Sequence, residues 1–579
     1  MAKGYRPVRR DESFLLPPDM REWLPERHPV WLVIRAVELM DTSAFHAMRR
    51  TGGAGAAGYD PDMLVTLLVW AYANEVSSSR KMERLCGQDV AFRVICGGNL
   101  PDHVTIARFR GHFAAAVQAL FAEVLVLCAR LGMGQLGMVA LDGTKVKANA
   151  SKAANRTRET LEKLAAQRVA AHAQTDAAED SLFGDRLGDE VPGEAADPYT
   201  RDERIAAALA SARAERDRRE REREEEEAER AARAEGFRAA ARAGTLKRGN
   251  RPAGTEVEAA ELTLEREIAA QQAKCEAWQR EAAAGRRPSN RPPVPPEQYC
   301  RVRQAREKLD RARQRAAQRE ARRARAAQQE PVIVRNITDP GSRLMHTRNG
   351  TQQSYNAQNV TSEDGLIIAT ELTDDPTDMA WFEPMMTAAE ANAKLIRRHQ
   401  PPAGQASADG GTTQPPDGDR AGDPGGGDPD RVIGLGLADA GYLSRDNLTC
   451  DGPDRLIATG KRRDLEKQAR DTAAGGGTDP ADPDDPLDAM AARLATQDGM
   501  AAYRQRGHIA ETPHGNIKHN MGFDQLSLRG KTKAAAEWTF ACLVHNLGKA
   551  ITSGHLTRQA LDDLAAKTAA PQATAQPAA

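Results

Sequence analysis

Cysteine is sparse and unpatterned in this chain. Its seven cysteines, at 86, 96, 128, 275, 300, 450 and 542, include no C-x-x-C pair. That spacing argues against both a zinc module and a disulfide framework. Net charge is missing as well: 81 basic and 82 acidic residues leave a formal charge of −1. The isoelectric point therefore says nothing about partners, and only the distribution of charge informs. No apolar h-region follows Met-Ala-Lys-Gly-Tyr-Arg-Pro at the N-terminus, so no secretory signal is expected. The longest apolar helical pattern, Ile106 to Leu131, is interrupted by Arg108, Arg110, His112, Gln118, Glu123 and Arg130, which excludes a membrane span. The expectation is a soluble, cytoplasmic protein. G-x-S-x-G is absent and the histidines have no partner spacing, so a Ser/His/Asp hydrolase has little support.

At 579 residues the chain is long enough for two to four units. Residues 1 to about 135 read as all-helical. Asp60-Pro61-Asp62 is a start signal before the apolar helix Met63–Tyr72, and Ser77-Ser78-Ser79 offers caps for a helix from Arg80 to about Cys86. Arg80, Lys81 and Arg84 fall on the exposed side of the latter. After Gly97-Gly98-Asn99-Leu100-Pro101, one long helix is expected, with Ile106, Phe109, Phe113, Val117, Leu120, Val124 and Leu127 forming its apolar stripe. Arg108, Arg110 and His112 lie off that stripe. Short helices with exposed cations fit a helix-turn-helix-like DNA module; a helical bundle with solvated charges fits as well.

From about 157 to 330 the sequence is Ala/Arg/Glu-rich and helical in propensity, with Arg219 to Glu227 pairing charges at i,i+4 and almost no apolar face. Between Arg301 and Arg325 eleven Lys/Arg meet three acids, a surface able to track phosphates or a solvated spacer. Strands are expected at 329–335, and at Tyr355–Val360 and Gly365–Leu372 as a hairpin across Ser362–Gly365. Further strand signals lie at 431–438 and 455–459. The Pro/Gly/Asp-rich stretches 401–430 and about 471–487 read as disordered linkers, and the tail from Thr568 as unstructured.

Three acids stand in unusual settings. Met138–Leu141 reads as a short buried strand that delivers Asp142 into Gly143-Thr144, with Lys145, Lys147 and Asn149 continuing at period two. A carboxylate at a core strand end is costly unless it is paired or bound to a cation, and hard divalent ions prefer such oxygens. Asp439 repeats the design after Val432, Ile433, Leu435 and Leu437. The Gly434-x-Gly436 within that run lacks the spacing of a dinucleotide loop. Glu511 lies in Tyr503-Arg-Gln-Arg-Gly-His-Ile-Ala-Glu-Thr-Pro-His-Gly-Asn-Ile-Lys518. Because proline is tolerated in a helix's first turn, Pro513 points to a helix capped by Thr512, with Glu511 at its entrance and Lys518 two turns on. Tyr503, Arg506 and Lys518 supply donors suited to a DNA phosphate. Two strand-end aspartates and a helix-borne glutamate form a ligand set for two magnesium ions about 4 Å apart. His508, His514 and His519 read as donors to DNA or incidental surface residues, since magnesium prefers oxygen. Trp381 and Trp538 are expected in the core, and Asp374 and Asp378 outside the site.

These blocks resemble the DDE-type transposases of bacterial insertion sequences, in the branch with a tyrosine-arginine-glutamate-lysine signature. Leu141–Lys152 resembles the first-aspartate block, Ala438–Ser444 the second, and Tyr503–Lys518 with Gly522-Phe523 the glutamate block. Leu15–Pro25, Ser78–Arg84 and Pro101–Arg110 resemble the helical domain preceding that core, and Ser354–Val360 and Leu528–Gly530 also fit. Four residues separate Arg506 from Glu511 where the signature has three. The resemblance implies an α/β fold: an RNase H-like core of mixed sheet flanked by helices, preceded by an all-helical domain and interrupted by a charged helical insert. The implied division is 1–135 helical DNA-binding domain, 136–156 first part of the core, 157–329 coiled-coil-like insert, 330–400 core, 401–430 linker, 431–470 core with Asp439, 471–487 linker, 488–552 core helices with Glu511, and 553–579 tail.

The same resemblance implies Mg2+, two ions, with Mn2+ able to substitute, held by Asp142, Asp439 and Glu511. It implies phosphate contacts from Tyr503, Arg506 and Lys518, and duplex DNA (terminal inverted repeats and target) as partner of a synaptic homodimer, with action at the bacterial nucleoid and no membrane. Arg80, Lys81, Arg84, Arg108, Arg110, Lys145 and Lys147 are the further DNA-binding candidates. Two other readings stay open: a metal-dependent nuclease or inactive copy, and a non-enzymatic DNA-binding coiled-coil protein built around Arg213 to Arg325.

Overall fold

The computed structural model describes residues 19–47, 58–112, 114–168, 170, 201–242, 255–285, 291–328, 332–347, 350–402, 431–474 and 484–569. The expected linker at 401–430 (beyond residue 402), the centre of that at 471–487 and the tail beyond 569 lie outside these. The chain forms two compact units, Met1–Asn155 with Asn336–Ala579, and Arg156–Arg335.

In the first unit short helices follow one another because each has its own cap. The Asp60 carboxylate accepts from Asp62 N at 2.8 Å with Pro61 at the first helical position of Pro61–Ala73. Ser78 caps Ser79–Gln88, Asp89 caps Val90–Ile95, and Asp102 caps His103–Gly111. Gly97 and Gly98 take left-handed φ of 54° and 79°, which other residues rarely adopt, and so separate two of these helices. The single long helix expected from Ile106 to Leu131 is instead two, His103–Gly111 and Ala114–Arg130. Gly111 ends the first, and His112 folds back to place its Nδ1 2.7 Å from Arg108 O.

The sheet orders its strands β4-β5-β1-β7-β8, with β6 also pairing β5. Here β1 is Met138–Lys147, β4 Arg343–Thr347, β5 Gly350–Ser362, β6 Ile367–Thr373, β7 Leu435–Ala438 and β8 Asp454–Ile457. The β5–β6 hairpin is antiparallel, as expected, and β5 runs antiparallel to β1. By contrast β1, β7 and β8 run parallel. Successive side chains alternate across a strand. Val139 and Leu141 accordingly join the larger core, while Ala140 joins Leu437, Leu456, Met500, Tyr503, Ile509 and Ala510 in a second cluster. That second cluster forms beneath the helix Gln497–Gly515. The helix Lys531–Thr552, almost wholly buried around Trp538, packs against β6 and Ala114–Arg130. Residues 553–579, expected as a tail, contain a further helix, Arg558–Ala569, anchored by fully buried Leu561.

The second unit holds three long helices, Arg201–Arg242, Glu256–Ala283 and Cys300–Gln328. The last two pair through Ala259, Ala260, Val302, Ala305 and Leu309, and ion pairs such as Arg313–Glu261 at 2.8 Å cross between them. Two short strands, β2 (Asn155–Thr157) and β3 (Val334–Asn336), pair with each other. Among the described residues no single helix is long and apolar enough to cross a membrane.

Candidate active site

Asp142 does not end its strand. β1 continues through it to Lys147, still paired antiparallel with β5, Asp142 opposite Asn359. What ends before Asp142 is the other edge: β7 pairs with β1 only as far as Ala140↔Leu437. Two residues on, both chains carry acid, and continuing the parallel register brings Asp439 level with Asp142. Asp142 follows Ala140 and Asp439 follows Leu437, so both acids leave the sheet on the face covered by Gln497–Gly515. Asp439 also caps the turn it begins, accepting from Gly441 N at 2.8 Å.

The glutamate segment departs from expectation in register. Thr512 does not cap a helix; its hydroxyl donates to His508 O at 2.6 Å, inside a helix that began at Gln497. Pro513 sits near that helix's C-terminal end, where the missing N–H removes one bond from a ladder about to stop, and a π-helical turn, Asn516–Asn520, follows. Tyr503, Arg506, Ala510 and His514 recur at three and four along the covering face.

Arg506 joins the acids. Its Nη2 donates to Asp142 Oδ1 at 2.8 Å and lies 3.5 Å from Asp439 Oδ2. Burial pushes the Asp142 carboxyl up to about 6. Arg506 opposes that shift, and the charges of Asp439, Glu511 and Asp378 add to it. Glu511 is exposed, on the solvent edge of the same helix, and acts on Asp142 and Arg506 through its charge. Lys518 Nζ donates to Thr144 Oγ1 at 2.5 Å and to Lys145 O at 2.8 Å, tying the π-helical turn to β1 beyond Asp142. Tyr503 is buried in the second core cluster, and burial raises its phenol pKa. Among the described residues the His/Cys/Asp/Glu group with ligand atoms all within 4.8 Å is His46, Asp60 and Asp62; Asp142, Asp439 and Glu511 stand farther apart, with the Arg506 guanidinium on the first two.

Two neighbours lay outside the expected site. Asp378, after β6, takes hydrogen bonds on Oδ1 from Asn356 Nδ2 (2.6 Å) and Gln358 Nε2 (2.7 Å), with Lys145 Nζ 3.6 Å away. It lies against Gly143, where an added Cβ would stand 2.6 Å from Asp378 Oδ1; at Gly441 a Cβ would meet Asp439 Oδ1 at 2.9 Å and Asp378 Oδ2 at 3.5 Å. A signal for it existed in the two amides at period two, Asn356 and Gln358, inside a buried strand. His514 is the other. Far from a surface residue, it is 7 % exposed, stacks 6.5 Å from Trp538, and has its Nε2 4.0 Å from Asp142 Oδ2. Burial, then the charge of Lys518, keeps the ring neutral, down to about 3, against a pull from the Asp142 main chain. His508 and His519 are exposed.

Of the expected DNA-binding cations, Arg80, Lys81, Arg84, Arg108 and Lys147 are exposed. Arg110 is not. It is 5 % exposed and bonds Glu537 Oε1 at 2.6 Å, Tyr72 OH at 2.8 Å and Ser77 O at 2.7 Å, because the short helix turns it inward over Tyr72. Lys145 is half-buried and gives a hydrogen bond to Pro376 O at 2.8 Å. Lys147 lines a polar cleft of about 550 Å³ with Asn149, Lys152, Gln352, Gln525 and Arg529.

Two family models match parts of this chain. Residues 18–112 match a transposase domain (DUF772), and residues 481–551 match a transposase DDE domain. Taken together, the two domains indicate a transposase, and transposases act on DNA. The second, which contains Tyr503, Arg506, Glu511 and Lys518, supports a DDE-type transposase, a family that generally uses a divalent metal. Asp142 and Asp439 lie outside both matches. No curated protein and no solved structure matches the chain.

Proposed function

We propose that this chain catalyses metal-dependent DNA strand cleavage and strand transfer at the ends of an insertion sequence, with Asp142, Asp439 and Glu511 as the acids of its site. The observation that carries this reading is the convergence of Asp142, on β1, and Asp439, directly after the neighbouring parallel strand β7 and 297 positions away in sequence, under the helix that bears Glu511. Long insertions between them are tolerable because loop closure costs grow only logarithmically with length. The sheet, an antiparallel β6-β5-β1 half continued by parallel β7 and β8 and flanked by helices, supports an RNase H-like core.

The donor set fits hard cations. Asp142 and Asp439 share one face of the sheet with the helix that bears Glu511, burial raises the Asp142 pKa with the neighbouring acids adding to it, and Arg506 Nε and both His514 nitrogens are buried without hydrogen-bond partners. Mg2+, two ions, or Mn2+ in its place, would supply the charge that activates the attacking oxygen and stabilises the leaving one.

In the reaction, water attacks phosphorus at the element's end, breaking the P–O3′ bond and freeing a 3′-hydroxyl. That hydroxyl then attacks a target phosphorus in line and loses its proton, while the target's own 3′-oxygen leaves. Arg506 neutralises Asp142 and Asp439 in the metal-free protein and is the group that exchanges them for a DNA phosphate. Tyr503 stacks the helix on the sheet beside it, and Lys518 fixes β1 through Thr144 within reach of the same phosphate. Lys147, Lys152 and Arg529 give the backbone a cationic path beyond Asp142. Arg80, Lys81, Arg84 and Arg108 serve the terminal inverted repeats, and two copies of the chain pair the element's ends.

The test is a cleavage and strand-transfer assay on DNA carrying the repeats. Asp142→Asn, Asp439→Asn and Glu511→Gln each abolish cleavage, by 10³-fold or more on the order expected for loss of charge stabilisation at the reacting centre, while leaving DNA binding intact. Robust cleavage by any of the three removes that residue from the site. Cutting without joining of pre-cut ends favours a nuclease.

A further inference from the structure

His514 is a polar side chain buried on every side, with the Asp142 main chain exerting a weak pull on its ring. Its ring is 7 % exposed, and neither nitrogen has a hydrogen-bond partner. A buried imidazole left in this state costs stability, and the large majority of buried polar groups are satisfied. Packing alone does not call for it: the ring stacks on Trp538 at an interplanar angle of 25°, a contact that phenylalanine would make without the unsatisfied nitrogens. What sets it apart is direction. Nε2 faces Asp142 Oδ2 at 4.0 Å, too long for a hydrogen bond, while the other oxygen, Oδ1, is drawn to Arg506 at 2.8 Å. The Arg506 Nε beside them is equally without a partner. Asp142 is thus held through one oxygen by a side chain that the reaction requires elsewhere, and the group able to hold the second oxygen stands about an ångström beyond hydrogen-bond reach.

We propose that His514 is the positioning residue of Asp142: once Arg506 releases the carboxylate, Nε2–H donates to Asp142 Oδ2 and fixes the orientation in which the acid faces its cation. The proposal rests on the reading of Asp142 as a metal-holding acid. Its logic is that of groups that orient a ligand from behind, whose loss weakens metal affinity about 10–100-fold.

The experiment measures Mn2+ binding to the full-length protein by electron paramagnetic resonance, with unfolding of each metal-free variant followed in parallel. His514→Phe keeps the volume and the stacking but removes both nitrogens. The expected result is Mn2+ affinity lowered about 10–100-fold with metal-free stability equal to or above native, and partial recovery of affinity in His514→Gln, which restores a donor. Native Mn2+ affinity in a folded His514→Phe overturns the proposal. If His514→Phe does not fold, His514→Leu, which also lacks a donor, takes its place: Mn2+ affinity lowered about tenfold or more in the folded protein supports the donor role, and any smaller loss contradicts it. Asp142→Asn is the control, since undiminished Mn2+ binding by that variant sinks the reading of the site itself, whatever His514 does.

Discussion

Replacing Asp142 by asparagine makes the metal-free protein more stable at alkaline pH. The Asp142 side chain is 17 % exposed, and its pKa rises from 3.8 to about 6 despite the Arg506 pair. A rise of that size means that folding disfavours the ionised acid by about 3 kcal/mol. The sign follows from proton counting. Between pH 4 and pH 6 the folded chain holds a proton that the unfolded chain has released, so stability falls as pH rises through that window and stays lowered above it. Asparagine is close in shape to the protonated acid and has no charge to desolvate. Asp142→Asn should therefore gain up to about 3 kcal/mol at pH 8 and close to nothing at pH 4. Urea denaturation of both proteins in the presence of a chelator, at the two pH values, reads this directly. Adding Mg2+ at pH 8 should then stabilise the native protein, by about 2.7 kcal/mol at a hundredfold excess over Kd, and leave Asp142→Asn unchanged. A variant less stable than native at pH 8 without metal refutes the reasoning. It would mean that the Arg506–Asp142 pair is a net stabiliser and that no acid excess awaits a cation.

Arg110→Met should destabilise the protein by about 3–5 kcal/mol, since it leaves Glu537 charged in the core, and adding Glu537→Leu should recover most of the loss; equal unfolding midpoints for native and Arg110→Met would count against the buried pair. Lys147→Glu with Arg529→Glu should weaken DNA binding and flatten its salt dependence by about two phosphates' worth, as read from binding isotherms across salt concentrations; an unchanged slope would remove the cleft from the DNA path.

Helix starts and strand periodicity were legible because they rest on local chemistry. Asp60-Pro61, Ser78 and the β5–β6 hairpin stand where caps and turn residues put them. The misread segments involve competition between local preference and packing. Pro513 marks a helix start by itself, yet it ends one here because Ile509, Ala510 and Pro513 are buried in series with Met500 and Tyr503. Arg110 follows exposed cations in sequence, and only the fold brings Glu537, 427 residues later, to meet it. In the same way Asp142 and Asp439 could be singled out as acids ending apolar runs, but nothing local reveals that Arg506 lies on both or that Asp378 and His514 border them.

Anomalous scattering from crystals grown with Mn2+ tests the account most directly. A peak bounded by Asp142, Asp439 and Glu511, with the Arg506 guanidinium moved off the two aspartates, is the predicted result. Manganese bound elsewhere, with Arg506 still clasping Asp142 and Asp439, would contradict it.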